Sequence, residues 1–180
     1  MNTAGGNDMK SRLLGTLVIL IAAVASAQSA DKMKDLQPFV GTWRCSGMAF
    51  ASPMGPEHPT RATATAKWSL NKKWLEVHYT ETTNSKNPHP YDVVAYWGYD
   101  DESKKLIAGT FDNMGGYATQ DSPGWDGDRL VWTGPSHGGG MTMQGRDVFT
   151  RKGANQFAHN FETPDKSGFW QKTDEEICRR

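Results

Sequence analysis

The chain has 180 residues, with 20 basic and 20 acidic side chains and a formal net charge of zero. So even a balance leaves no basic footprint for nucleic acid and no polybasic patch for a membrane surface.

In chain order, Lys10 and Arg12 precede an apolar run over residues 13–25, which ends in Ala25-Ser26-Ala27. Charged, apolar and small-residue segments in that order mark a secretory signal peptide. A run of about 13 residues is too short to span a bilayer as a mature helix. The reading is cleavage after Ala27, with Met9 as an alternative start to Met1. Residues 1–27 are then the signal peptide and 28–180 one domain, periplasmic or secreted. No cysteine stands directly after the apolar run, so no lipid anchor is expected once the signal is cleaved. Loss of Asp8, Lys10 and Arg12 leaves 153 residues with 18 basic and 19 acidic side chains, enough for a single core.

A short polar, helical lead over 31–36 runs into Pro38 and Gly41, and Thr42-Trp43 opens the first strand, 42–50. Residues 51–59 hold three prolines and a glycine and read as a loop. Over 60–70, Ala62, Ala64, Ala66, Trp68 and Leu70 alternate with polar residues, the period-two mark of a half-buried strand. Return strands are expected at 74–83, 91–99, 105–111 and 117–121. After a turn-rich stretch at 122–128, further strands are expected at 129–133, 141–151, 156–163 and 169–173, with 134–140 read as a loop. About ten short strands joined mostly by tight turns predict an all-β fold, a single up-and-down barrel with a short N-terminal helix.

Cys45 and Cys178 are the two cysteines. In an exported chain an even pair reads as a disulfide, with two unpaired thiols as the alternative. The bridge would bring the two ends of the domain together, as a closed barrel requires.

Functional candidates are few. Gly134-Pro135-Ser136-His137-Gly138 fits a G-x-S-x-G pattern, but that motif acts on a strand–turn–helix elbow, and here it joins two strands. His58, His78, His89 and His137 lack the spacing of a metal site. The acids of Asp100-Asp101-Glu102 and Glu175-Glu176 read as solvated charge. No catalytic constellation emerges, and the chain is read as a non-enzyme. His159 falls in step with Phe157 and Phe161, and Met141 with Met143. If these faces point inward they line the same interior. The seven tryptophans either fill that interior or wall a cavity.

Phe39-Val40-Gly41-Thr42-Trp43, Gly98-Tyr99-Asp100, Asp112-Asn113-Met114-Gly115-Gly116-Tyr117, Gly124-Trp125-Asp126-Gly127-Asp128-Arg129-Leu130 and Glu175-Glu176-Ile177-Cys178 carry a resemblance. The Gly-x-Trp after a helical lead resembles the calycin superfamily of lipocalins, fatty-acid-binding proteins and nitrobindins. The set as a whole resembles the secreted bacterial proteins grouped as domain of unknown function 1579. The resemblance implies a calycin-like barrel and no established activity. Because nitrobindin-like barrels hold haem through a late-strand histidine, it also makes His159 a haem candidate, although no cofactor is the first expectation. The leading expectation is a barrel binding a small apolar molecule, lined by Trp43, Trp68, Trp97, Tyr99 and His159. The alternative is an envelope structural or protein-interaction module with a filled core, acting through loops 51–59 and 134–140.

Overall fold

Twelve strands account for most of the chain in the computed structural model, which describes residues 31–52 and 55–180. The expected signal peptide at 1–27 lies outside the described residues. The strands are β1 (Gly41–Ala49), β2 (His58–Ser69), β3 (Trp74–Glu81), β4 (Asp92–Asp100), β5 (Lys105–Asp112) and β6 (Tyr117–Ser122). They continue with β7 (Trp125–Asp126), β8 (Arg129–Gly138), β9 (Met141–Gly153), β10 (Gln156–Pro164), β11 (Trp170–Lys172) and β12 (Asp174–Arg179).

Each of β1 to β5 pairs antiparallel with the next, β6 pairs with β8, and β8, β9, β10 and β12 follow in turn. Strand β12 then pairs with β1, from Arg44 opposite Arg179 to Ala49 opposite Asp174. The result is a closed up-and-down barrel of ten strands, with β7 and β11 as short additions on β8 and β10. Closure removes the unpaired edges that an open sheet would present to other chains.

The sequence reading differs from this architecture in three places. Residues 134–138 are not a loop but the second half of β8, and only Gly139 and Gly140 turn. Asp126 and Trp125 form the small β7 inside a stretch read as turn. The tail beyond Thr173 is β12, the strand that closes the barrel.

One end of the barrel is plugged. Residues 31–33 are helical and continue into a tight 3-10 turn, Lys34–Phe39, that runs on through Pro38. Leu36 and Phe39 are buried under it. Three tryptophans tie the plug to the wall: Trp43 Nε1–H donates to the Phe39 carbonyl (2.8 Å), Trp125 Nε1–H to the Asp35 carbonyl (2.7 Å) and Trp68 Nε1–H to Gln37 Oε1 (3.2 Å). Two of these donors satisfy carbonyls that a helical turn leaves open. The Phe39 ring packs edge-on against Trp97, Phe149 and Phe157 at centroid distances of 5.1, 5.1 and 5.5 Å. Outside, Arg180 donates to the Pro38 carbonyl and lies over the Trp43 ring.

Cys45 and Cys178 are directly opposite across β1 and β12 and form a disulfide, as the sequence reading expected. The bridge closes a 133-residue separation at the seam where the first strand meets the last. Two residues along the same seam, Gly47 lies opposite both Thr60 on β2 and Glu176 on β12. A Cβ there would overlap the Glu175 carbonyl oxygen, so only glycine permits this close approach. Its bareness also leaves Thr60 free to reach across β1 to Glu176.

Candidate functional site

Inward parity places Trp43 and Cys45 on β1, Ala64 and Ala66 on β2, Tyr79 on β3, Ala95 and Trp97 on β4, and Trp132 on β8 around one cavity. Its volume is about 200 Å³. Alanines on two strands leave the space that larger side chains would occupy, and that space is the cavity. The cavity runs from the plug toward the opposite rim, and its two ends differ in chemistry. The plug end is a floor of aromatic rings, with Phe39, Trp43, Trp97, Phe149 and Phe157 in mutual contact.

The upper part is polar. His159 on β10 and Asp147 on β9 form a pair, with His159 Nε2 2.9 Å from Asp147 Oδ1. Gln120 Nε2–H donates to the other Asp147 oxygen at 2.8 Å. Glu176, only 5% exposed, accepts from Thr60 Oγ1–H (2.6 Å) and Tyr79 O–H (2.8 Å) on one oxygen. Asp174 accepts the Phe161 backbone N–H at 2.8 Å. Glu176 sits directly opposite His159 across β12 and β10, which brings the two groups together.

This arrangement sets the protonation states. Burial alone would lower the His159 pKa, but the Asp147 hydrogen bond and the charges of Asp174, Asp147 and Glu176 outweigh it and raise the pKa to about 9. Burial pushes Asp174 up to about 6, against the opposing pull of His159 and the Phe161 N–H. Burial also pushes the Tyr79 and Tyr91 hydroxyls up, reinforced by Glu176 and Asp112 respectively, so both remain donors.

The His159 shift makes a stability prediction. A group with a folded pKa near 9 and an ordinary value of 6.5 stabilises the fold fully below 6.5 and loses that contribution as pH rises through 9. Between pH 7 and 9.5 the wild type should therefore lose about 2–3 kcal/mol relative to His159→Gln. Denaturant melts of both proteins at the two pH values measure the difference. Parallel pH dependence would remove the buried imidazolium from the account.

Of the residues singled out from the sequence, Trp43, Trp97 and His159 line the cavity. Trp68 and Tyr99 pack against the core toward the plug end, outside the lining, and Trp68 is engaged in tying the plug. Met141 and Met143 do not line the cavity: both are exposed, near the turn between β8 and β9. Ser136 lies mid-strand on β8, paired opposite Met143, and not on an elbow. Glu176, read as solvated, is the most enclosed acid of the polar cluster. Thr60, Tyr79, Gln120, Asp147 and Asp174 were not picked out from the sequence. The available signal was Cys178, whose inward bond fixes the parity of Glu176 and Asp174. The disulfide also lies beside Glu176, but bonded sulfurs offer no thiolate to a metal.

A family model described as protein of unknown function (DUF1579) matches residues 28–180. Among solved structures, the chain is similar to the crystal structure of Rv2717c from M. tuberculosis, with a TM-score of 0.59 and 10% identity, over 81% of this chain and 96% of that one. At that identity the likeness is one of fold. A search of curated proteins gives no match.

Proposed function

We propose a function from the geometry, because the chain belongs to the family of proteins of unknown function (DUF1579), and membership there fixes a barrel but no activity. The protein is an exported carrier that holds a small molecule inside its barrel, with the apolar part of the ligand against the aromatic floor. The observation that carries this reading is the cavity itself: about 200 Å³ lined by alanine-bearing strands, an aromatic floor and a polar upper wall. A barrel built only for stability would fill that space with side chains. Export is supported by the signal-like leader and by the Cys45–Cys178 disulfide. Among the described residues no helix is long and apolar enough to cross a membrane.

The same polar wall argues against haem. Iron ligation needs an imidazole nitrogen free of a proton, and the pairing of His159 with Asp147 favours the protonated imidazole. The cavity is also smaller than the roughly 300–1,000 Å³ of drug-sized ligand sites. The residues present do not fit that group.

The interaction-module alternative has one observation in its favour. Phe111 and Tyr117 pair across β5 and β6 on the outer wall, Tyr117 stacks on His137 at 4.4 Å, and both Phe111 and Tyr117 are exposed. This patch lies outside the barrel and leaves the cavity unexplained, so the carrier reading stands first.

Intrinsic tryptophan fluorescence tests the carrier reading, since Trp43, Trp97 and Trp132 wall the cavity. A neutral aromatic probe, 2-phenoxyethanol, should quench it saturably. Ala64→Phe, which fills the cavity from β2, should weaken that binding at least tenfold while the thermal midpoint stays above room temperature. Equal binding by both proteins would place the probe elsewhere and sink the reading.

A further inference from the structure

The cavity contains two unmet chemical demands, and they point to one class of ligand. The first is charge: Glu81, Asp147, Asp174 and Glu176 line the cavity with a single imidazole, His159, and Glu81 accepts from the Asn87 side-chain amide and the Tyr91 backbone N–H. Asp147 is engaged by His159 and Gln120. Asp174 and Glu176 face the cavity with only neutral donors at hydrogen-bond distance: the Phe161 N–H for Asp174, the Thr60 and Tyr79 hydroxyls for Glu176. Buried carboxylates without a matching cation are costly.

The second demand is a donor. Trp132 is 1% exposed, lines the cavity, and its indole N–H has no hydrogen-bond partner among the described residues. An unpaired buried N–H costs roughly a hydrogen bond's worth of stability unless something accepts it. Trp132 sits directly opposite Asp147 across β8 and β9, and its ring packs against Trp97 of the aromatic floor at 5.2 Å. It therefore stands at the boundary between the apolar floor and the acidic wall.

We infer that the barrel takes a compact primary ammonium ion with an aromatic or branched alkyl body and a hydrogen-bond acceptor between the two. The ring packs on the floor formed by Phe39, Trp43 and Trp97. The acceptor receives the Trp132 N–H, and the ammonium group lies against Asp174 and Glu176. This rests on the carrier reading above and specifies its ligand. An anionic ligand of the same shape would meet a cavity lined by four carboxylates and is rejected.

One scaffold in three charge states tests it: 2-phenoxyethylammonium, neutral 2-phenoxyethanol and phenoxyacetate, titrated by calorimetry at pH 7.5. The ammonium probe should bind at least tenfold tighter than the neutral one, with phenoxyacetate weakest. Exchanging the ether oxygen for a methylene, in 3-phenylpropylammonium, should cost about fivefold in wild type and nothing in Trp132→Phe. Glu176→Gln and Asp174→Asn, made separately, should each reduce the preference for the ammonium over the neutral probe to threefold or less. Both keep an oxygen to accept the native hydrogen bonds, and should one fail to fold, the other decides. Neutral and ammonium probes binding alike would overturn the inference and leave the carrier reading standing. If no probe binds at all, the carrier reading falls and the inference falls with it.

Discussion

Replacing Cys45 and Cys178 together by alanine should lower the thermal midpoint by roughly 10–20 °C. The bridge spans 133 residues of sequence, and in the chain-entropy picture a loop of that length contributes about 4–5 kcal/mol by restricting the unfolded chain. For a domain of this size each kcal/mol corresponds to roughly 2–4 °C. The double variant is the informative one, because a single substitution leaves a buried free thiol. The barrel should still close, since β1 and β12 remain paired from Arg44–Arg179 to Ala49–Asp174. Calorimetry of the two proteins reads the difference. A shift under about 5 °C would mean that strand pairing alone holds the ends, and that the bridge adds little.

Phe39→Ala should cost about 3–5 kcal/mol, the usual range for removing a buried phenyl ring. Phe39 is 4% exposed and stands at the junction of plug and barrel. Its ring meets Trp97, Phe149 and Phe157 edge-on and stacks on Trp125 at 5.7 Å. Removal deletes four aromatic contacts at once and opens the floor of the cavity into the plug. Phe39→Leu retains most of the buried area and should lose less than half as much. Denaturant melts at constant pH measure both. A cost under about 1 kcal/mol for the alanine variant would show that the plug packs loosely and does not seal the barrel.

These expectations rest on parts of the fold that were unequally legible. The strand with Ala62, Ala64, Ala66 and Trp68 was readable because small and aromatic residues alternate strictly with polar ones, and their inward parity is as expected. Strand β12 was not, because its pattern is inverted: the inward positions hold Asp174, Glu176 and Cys178, while Ile177 points away from them. Hydrophobic alternation sees nothing there, and only the cysteine's parity marks the inner face. The second half of β8 was hidden by glycine and proline. Gly134 reads as a turn residue, yet a Cβ on it would overlap the Thr119 carbonyl on β6, so the glycine serves a close approach between strands. Met141 and Met143 show a different limit. They share parity with Phe149, but parity gives the side of a strand and not its depth, and both are exposed near the β8–β9 turn. The polar cluster joins residues from β2, β3, β6, β9, β10 and β12, so no local window contains it.

Native mass spectrometry of the protein recovered from a host that exports it tests the central claim most directly. Soft ionisation preserves a guest held inside the barrel, and the accurate mass gives its composition. A bound fraction should carry a small added mass, lost on harsher activation and absent from Ala64→Phe. A wild-type protein found only at its own mass, which also remains so after incubation with 2-phenoxyethylammonium and 2-phenoxyethanol, would contradict the claim that this barrel is a carrier.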